Sequence, residues 1–193
     1  MMFLQTLFIS VLAYLLGSIP TGKIVGNHYG VDIQKAGSGN IGFANAVRVL
    51  GWKPALIVLA GDAFKGFLAV YISRQILPGQ TPIFLAGALA ILGNVFPVWL
   101  KFKGGKGIAT GLGVTLAISP LLALAGLMVY LSTIVLARRS SVASITSSWA
   151  LPLLCIRIAP EFVWYYLGLA VFASWTHRTN IMRIRAKSII YDD

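Results

Sequence analysis

The chain has 193 residues, 58% of them hydrophobic and only 11% charged, with a mean hydropathy of +0.83. That composition excludes an ordinary soluble domain and implies a polytopic membrane protein. Sixteen Lys and Arg against five Asp and Glu give a net charge of +11. These cations lie in short loops between apolar runs, which favours anionic lipid and phosphorylated substrates over nucleic acid as partners.

A helix needs roughly 20 residues to cross the hydrocarbon, so about seven spans fill a chain of this length as a single integral membrane domain, residues 1–193. The first run, Phe3 to Ile19, carries no basic residue before Lys23 and reads as a retained span rather than a cleaved leader. Six more follow: Ala55 to Ile76, Ile83 to Leu100, Ile108 to Ile118, Leu121 to Ala137, Val142 to Ile158 and Phe162 to Ser174. The fourth has only eleven residues, so it must start below the surface or cross a locally thinned bilayer. With the N-terminus outside and the C-terminus cytoplasmic, Lys23, Lys35, Arg48, Lys53, Lys101, Lys103, Lys106, Arg138, Arg139, Arg178, Arg183, Arg185 and Lys187 all face the cytoplasm. Only Arg74 and Arg157 fall on the other side, as the positive-inside rule expects.

The first cytoplasmic stretch contains Gly37-Ser38-Gly39-Asn40-Ile41-Gly42, then Asn45 and Arg48 three apart. Glycines can turn backbone N–H groups toward an anion, Ser38 and Asn40 add side-chain donors, and the start of a helix adds positive potential. The alternative is a flexible turn leading into a short interfacial helix whose Arg48 snorkels to headgroups. Asp62 and Lys65, three apart near the cytoplasmic end of the second span, are expected to neutralise each other, and Lys65 could also extend the positive surface toward a phosphate. Asn94 precedes Pro97 at the end of the third span, where its amide is expected to satisfy backbone groups freed by the proline.

The next loop reads Lys101-Phe102-Lys103-Gly104-Gly105-Lys106-Gly107. It has the makings of a phosphate cradle, with glycine N–H groups around an anion and lysines following it, although a basic topogenic turn explains the same residues. Arg138-Arg139-Ser140-Ser141 is either a stop signal with a helix cap or a source of a hydroxyl donor, Ser141. Farther on, His177 and Asn180 share a helical face, and an imidazole titrating near neutrality can accept or share a proton at the membrane surface. An ordinary interfacial histidine is the competing reading. His28 is assigned no role.

Other chemistries are excluded by what is missing. Asp32, Asp62, Glu161, Asp192 and Asp193 are too scattered for a carboxylate dyad or a magnesium cluster. Cys155 is the one cysteine, so no thiol metal cluster or intrachain disulfide can form. The basic loop is not a nucleotide-binding Walker A loop, because Leu100 and Gly107 stand where Gly and Ser or Thr are needed. Ile33 and Met182 occupy the positions where an H-x4-D acyltransferase would carry aspartate.

At these residues the chain resembles the bacterial acyl-phosphate:glycerol-3-phosphate acyltransferases. The likeness rests on Gly17-Ser18-Ile19-Pro20-Thr21-Gly22, Gly37 to Gly42 with Asn45, Phe96-Pro97-Val98, Phe102 to Gly107, and His177-Arg178 with Asn180-Ile181, in that order and over nearly the whole chain. The resemblance implies a seven-span enzyme of the bacterial inner membrane with its site on the cytoplasmic face. It would pass an acyl group from acyl phosphate to the sn-1 hydroxyl of glycerol 3-phosphate, without metal, cofactor or acyl-CoA. Lys106, Ser38, His177 and Asn180 would carry the chemistry. Gly37, Gly39, Asn40, Gly42, Asn45, Arg48, Lys65, Lys103, Gly104, Gly105, Gly107 and Ser141 would bind the phosphates. Expected partners are the two substrates, membrane lipid and a soluble enzyme that makes acyl phosphate. An organic-phosphate transporter and a lipid-binding accessory subunit are the rival readings. The sequence departs from the family pattern at Asn94, where histidine is expected, at Phe43-Ala44, and at Lys187 and Ile189 in the tail.

Overall fold

The computed structural model describes residues 2–191. Asp192 and Asp193, and the side chains of Arg185 and of residues 187–191, lie outside the described part. Every described regular element is helical: α1 (Met2–Ser18), α2 (Thr21–His28), α3 (Phe43–Leu50), α4 (Trp52–Ile76), α5 (Thr81–Val95), α6 (Ile108–Ile118), α7 (Pro120–Ala137), α8 (Ser140–Ile158), α9 (Val163–Thr176) and α10 (Arg178–Tyr191). Short 3-10 turns occupy Val98–Leu100 and Pro160–Phe162.

Among the described residues, five stretches are long and apolar enough to cross a membrane: Met2–His28, Trp52–Ile76, Thr81–Leu100, Pro120–Ala137 and Ser140–Ile158. The expected fourth and seventh spans are α6 and α9, helices of 11 and 14 residues. At 1.5 Å per residue α6 reaches only about 16 Å, half of a typical hydrocarbon core. The expected interfacial helix is α3. Two helices are additional to the sequence reading. Pro20 interrupts the ladder for only two residues before α2 resumes it, and α10 follows directly on α9 with His177 at the junction.

The chain forms two compact units, residues 1–123 and 124–193, with the division passing through α7. In the first unit α1, α4 and α5 enclose a core of small and branched residues, including Ala13, Ala69, Ala86 and Ala90. Without a hydrophobic driving force between spans, small residues serve by letting backbones approach closely. Between α4 and α6 this is carried furthest: a Cβ on Gly66 would run into the Thr110 carbonyl, and one on Gly113 into the Ala63 carbonyl. A second core holds Val25, Ile33, Ile41, Ala46, Ala55 and Val58. Ile33 and Ile41 are both essentially inaccessible, so they pin the two ends of the loop that lies between them.

Two polar side chains complete the first unit by closing helix ends. Ser119 ends α6 and caps α7, its Oγ accepting from the Leu122 N–H at 3.3 Å. Arg74 at the end of α4 donates to the carbonyls of Ala117 and Ile118, which the end of α6 leaves without intrahelical partners. In the second unit α8 packs along α9, with the Trp149 indole donating to Ser174 Oγ at 3.0 Å and Cys155, Tyr166 and Ala170 buried.

Gly113→Ala is expected to lower the thermal midpoint in detergent, because overpacking at a backbone contact costs about 1–3 kcal/mol. Gly168 has open space where its Cβ would stand. Gly168→Ala should therefore leave the midpoint unchanged or raise it slightly, through a helix-propensity gain of about 0.5–1 kcal/mol. Equal melting of the two variants would contradict the close α4–α6 contact.

Candidate active site

The loop between Ile33 and Ile41 is organised from inside by Asn45. This side chain, 2% exposed, lies at the start of α3 with its amide turned onto the loop backbone. Its Oδ1 accepts from the Ser38 N–H at 2.8 Å, and its Nδ2 donates toward the carbonyls of Ile33, Ala36 and Asn40 at 3.2, 3.0 and 2.8 Å. Gly39 N–H donates to the Ala36 carbonyl at 3.0 Å, and Gly42 N–H to Asn40 Oδ1 at 2.9 Å. Gly37 and Gly39 take φ of +60° and +74°, which the tight path around Asn45 requires. What the loop presents outward is therefore Ser38, exposed at its tip, with Arg48 exposed on α3.

This differs from the expectation in two respects. The N–H groups of Ser38, Gly39 and Gly42 are bonded within the protein, so the glycines shape the loop instead of offering those donors to an anion. Asn45 and Arg48 also part company. Three residues along a helix is a rotation of about 60°, enough to bury the first and expose the second.

The basic loop is built on the same plan. Pro97 stops α5, and the carbonyls a continuing helix would have used are taken by the returning loop: Gly104 N–H donates to Val95 O at 3.1 Å and Gly105 N–H to Asn94 O at 2.9 Å. Tyr14 of α1 donates its hydroxyl to the Phe96 carbonyl at 2.7 Å. A Cβ on Gly104 would collide with Asn94 O and Pro97, so glycine is needed there for close approach. Here too the expected glycine donors at 104 and 105 are engaged internally. Lys101 and Lys103 are exposed and Lys106 is half-buried at the entry to α6, beside Gly107 with φ +81°. The two loops touch directly, Gln34 Nε2 donating to the Lys103 carbonyl at 3.2 Å.

Lys65 and Asn94 meet behind the loops. Lys65 is 4% exposed, and its ammonium bonds Asp62 Oδ1 at 2.8 Å, Asn94 Oδ1 at 2.8 Å and the Ile19 carbonyl at 2.7 Å. The ion pair read from the sequence is present. The Asn94 amide does not serve the backbone freed by Pro97, as expected, but accepts from Lys65. Nearer the surface, Lys23 of α2 pairs with Asp32, and this hydrogen bond holds the Asp32 carboxyl below the ordinary carboxylate range.

In the second unit, His177 is buried rather than displayed at a membrane surface, at 3% exposure. Its Nδ1 lies 2.8 Å from the Ala173 carbonyl, and since a carbonyl only accepts, Nδ1 carries the proton. Asn180 is in the same turn, its N–H donating to the His177 carbonyl at 2.9 Å. Arg178 lies outside, its guanidinium 4.3 Å from the centre of the Trp175 ring. Ser141, half-buried, is the second residue of α8.

The glycerol-3-phosphate acyltransferase family model matches residues 7–187. The chain belongs to this family. Among similar curated proteins, the glycerol-3-phosphate acyltransferase of Geotalea daltonii is 43% identical over 176 residues, covering 90% of this chain and 91% of its own. One from Thermus thermophilus is 42% identical over 182 residues, covering 91% and 89%. Two crystal structures of PlsY (YgiH), an integral membrane glycerol 3-phosphate acyltransferase, superpose on this acyltransferase with TM-scores of 0.87 and 0.85. Each is 34% identical and covers 95% of this chain and 93% of PlsY; one is its glycerol 3-phosphate form and the other its lysophosphatidic acid form. The acyltransferase is thus an integral, multi-pass membrane enzyme.

Sequence reasoning found the loops of this acyltransferase but missed Gln34 and the Ile19 carbonyl. Nothing in a pattern of residue types marks a backbone oxygen as an anchor. Asn45→Ala is expected to accelerate tryptic cleavage after exposed Lys35 by about tenfold or more, because loss of the amide lowers the free energy of opening the loop. Cleavage at the parent rate would show that Asn45 does not hold the loop.

Proposed function

We propose that the enzyme transfers a fatty acyl group from acyl phosphate to the sn-1 hydroxyl of glycerol 3-phosphate, giving lysophosphatidic acid and phosphate. The hydroxyl oxygen attacks the acyl carbonyl carbon, a C–O ester bond forms, and the C–O bond to phosphate breaks with its electron pair leaving on phosphate. A mixed anhydride is already activated, so the protein's tasks are positioning and charge stabilisation. One loop holds the acyl phosphate and the other the glycerol phosphate. Lys106, Arg48, Lys103 and Ser38 meet the phosphates, with Ser141 as a further hydroxyl donor. The glycines at 37, 39, 42, 104, 105 and 107 shape the two loops that present these groups to the phosphates. His177, or a phosphate oxygen of the donor itself, takes the hydroxyl proton, and Asn180 orients the attacking group.

The observation that carries this reading is the pair of preformed loops. Joined through Gln34 and the Lys103 carbonyl, they turn side-chain cations and a hydroxyl outward while the N–H groups of Ser38, Gly39, Gly42, Gly104 and Gly105 are engaged within. We place the enzyme in a bacterial inner membrane with seven crossings, the N-terminus outside and the loops cytoplasmic, on the distribution of its cations. A soluble enzyme that makes acyl phosphate is the expected supplier of the donor.

Purified protein with palmitoyl phosphate and glycerol 3-phosphate should release phosphate and form lysophosphatidic acid, whereas palmitoyl-CoA should give no product. Absence of product above a protein-free control sinks the reading, and turnover with the CoA ester alone overturns the choice of donor. Lys106→Ala and His177→Ala should each lower kcat/KM by about 100-fold or more. Near-parent activity in both would remove them from the reaction.

A further inference from the structure

We infer that Lys65 and Asn94 are positioning residues for the acyl-transfer reaction, acting through the loops and touching neither substrate. This rests on the acyltransferase reading above. Lys65 is buried and its ammonium is directed to three partners, two of them on segments that have no covalent reason to be in register. One is Asp62 on its own helix. Another is the Ile19 carbonyl, at the break from which α2 carries Lys23 to its pairing with Asp32 at the foot of the first loop. The third is Asn94 Oδ1, on the residue whose own carbonyl holds the Gly105 N–H, one residue before Lys106.

A single ammonium therefore ties the entry of the serine-bearing loop to the anchor of the lysine-bearing loop. Apolar packing could fill the same volume but could not select one orientation of the Ile19 carbonyl or one register for the end of α5. A buried ionic group is best justified by such a registry role, because the pair contributes little net stability over a hydrophobic replacement. Because the loops are assigned to the phosphates, a loss of register between them is expected to weaken binding of a phosphorylated substrate, in the ground state as in the transition state.

Removing Lys65 would strand the Asp62 carboxylate in the interior, so the tether is better cut at its other end. Asn94→Leu keeps the Asp62–Lys65 pair and the bond to Ile19, and removes only the link to α5. It should raise KM for one of the two phosphorylated substrates about tenfold, with kcat and the thermal midpoint changed much less. Asn94→Asp is isosteric and retains an acceptor oxygen toward Lys65, so it should return that KM to within about threefold of the parent. Both KM values within about twofold of the parent in Asn94→Leu, a loss confined to kcat and thermal midpoint, or an Asp variant as impaired as the Leu variant would each overturn the inference. A parent enzyme that makes no lysophosphatidic acid in the same assay would overturn the acyltransferase reading itself, a result distinguishable from these.

Discussion

Backbone groups inside a membrane protein have no water to turn to, so every carbonyl or N–H released where a helix breaks must find a protein partner. Pro20 and Pro97 each create such a break within an apolar stretch. At the first, the Ile19 carbonyl receives the Lys65 ammonium. At the second, the carbonyls of Asn94 and Val95 receive the N–H groups of Gly105 and Gly104. The glycine-rich basic loop is thus a closing strap for α5 before it is anything else, and its shape follows from the groups it must satisfy.

The same requirement accounts for Asn45. A tight loop carrying Ser38 at its tip leaves several carbonyls pointing inward, and one buried carboxamide collects three of them while holding the Ser38 N–H. Function then falls to what these scaffolds leave outside. Side-chain charges and hydroxyls are presented by backbones that need not reorganise when a phosphate arrives, which is how electrostatic stabilisation is made effective.

Hydropathy and charge located the five long apolar stretches, and the shorter helices α6 and α9, within a few residues, because a lipid-facing segment must be continuously apolar and its flanks must be polar. The eight-residue α2 was illegible, since Pro20 and the polar run through His28 read as a loop. α10 was missed because Arg178, Arg183 and Arg185 dilute any apolar period. At the site, the residue types were legible but their division of labour was not. Asn45 and Arg48 share a spacing that suits joint ligand binding, and only the packing of Ile33 and Ile41 decides which of them turns inward. His177 read as a proton-handling group at the membrane surface, yet the turn between α9 and α10 buries it against the Ala173 carbonyl.

Amide hydrogen exchange on the substrate-free enzyme in detergent tests most directly whether the two loops are preformed scaffolds with their own N–H groups already engaged. The amides of Ser38, Gly39, Gly42, Gly104 and Gly105, resolved individually, should exchange slowly without substrate and gain little protection when glycerol 3-phosphate or inorganic phosphate is added. Rapid exchange in the free enzyme, with protection appearing only on phosphate addition, would show that these N–H groups are ligand donors and would contradict the account.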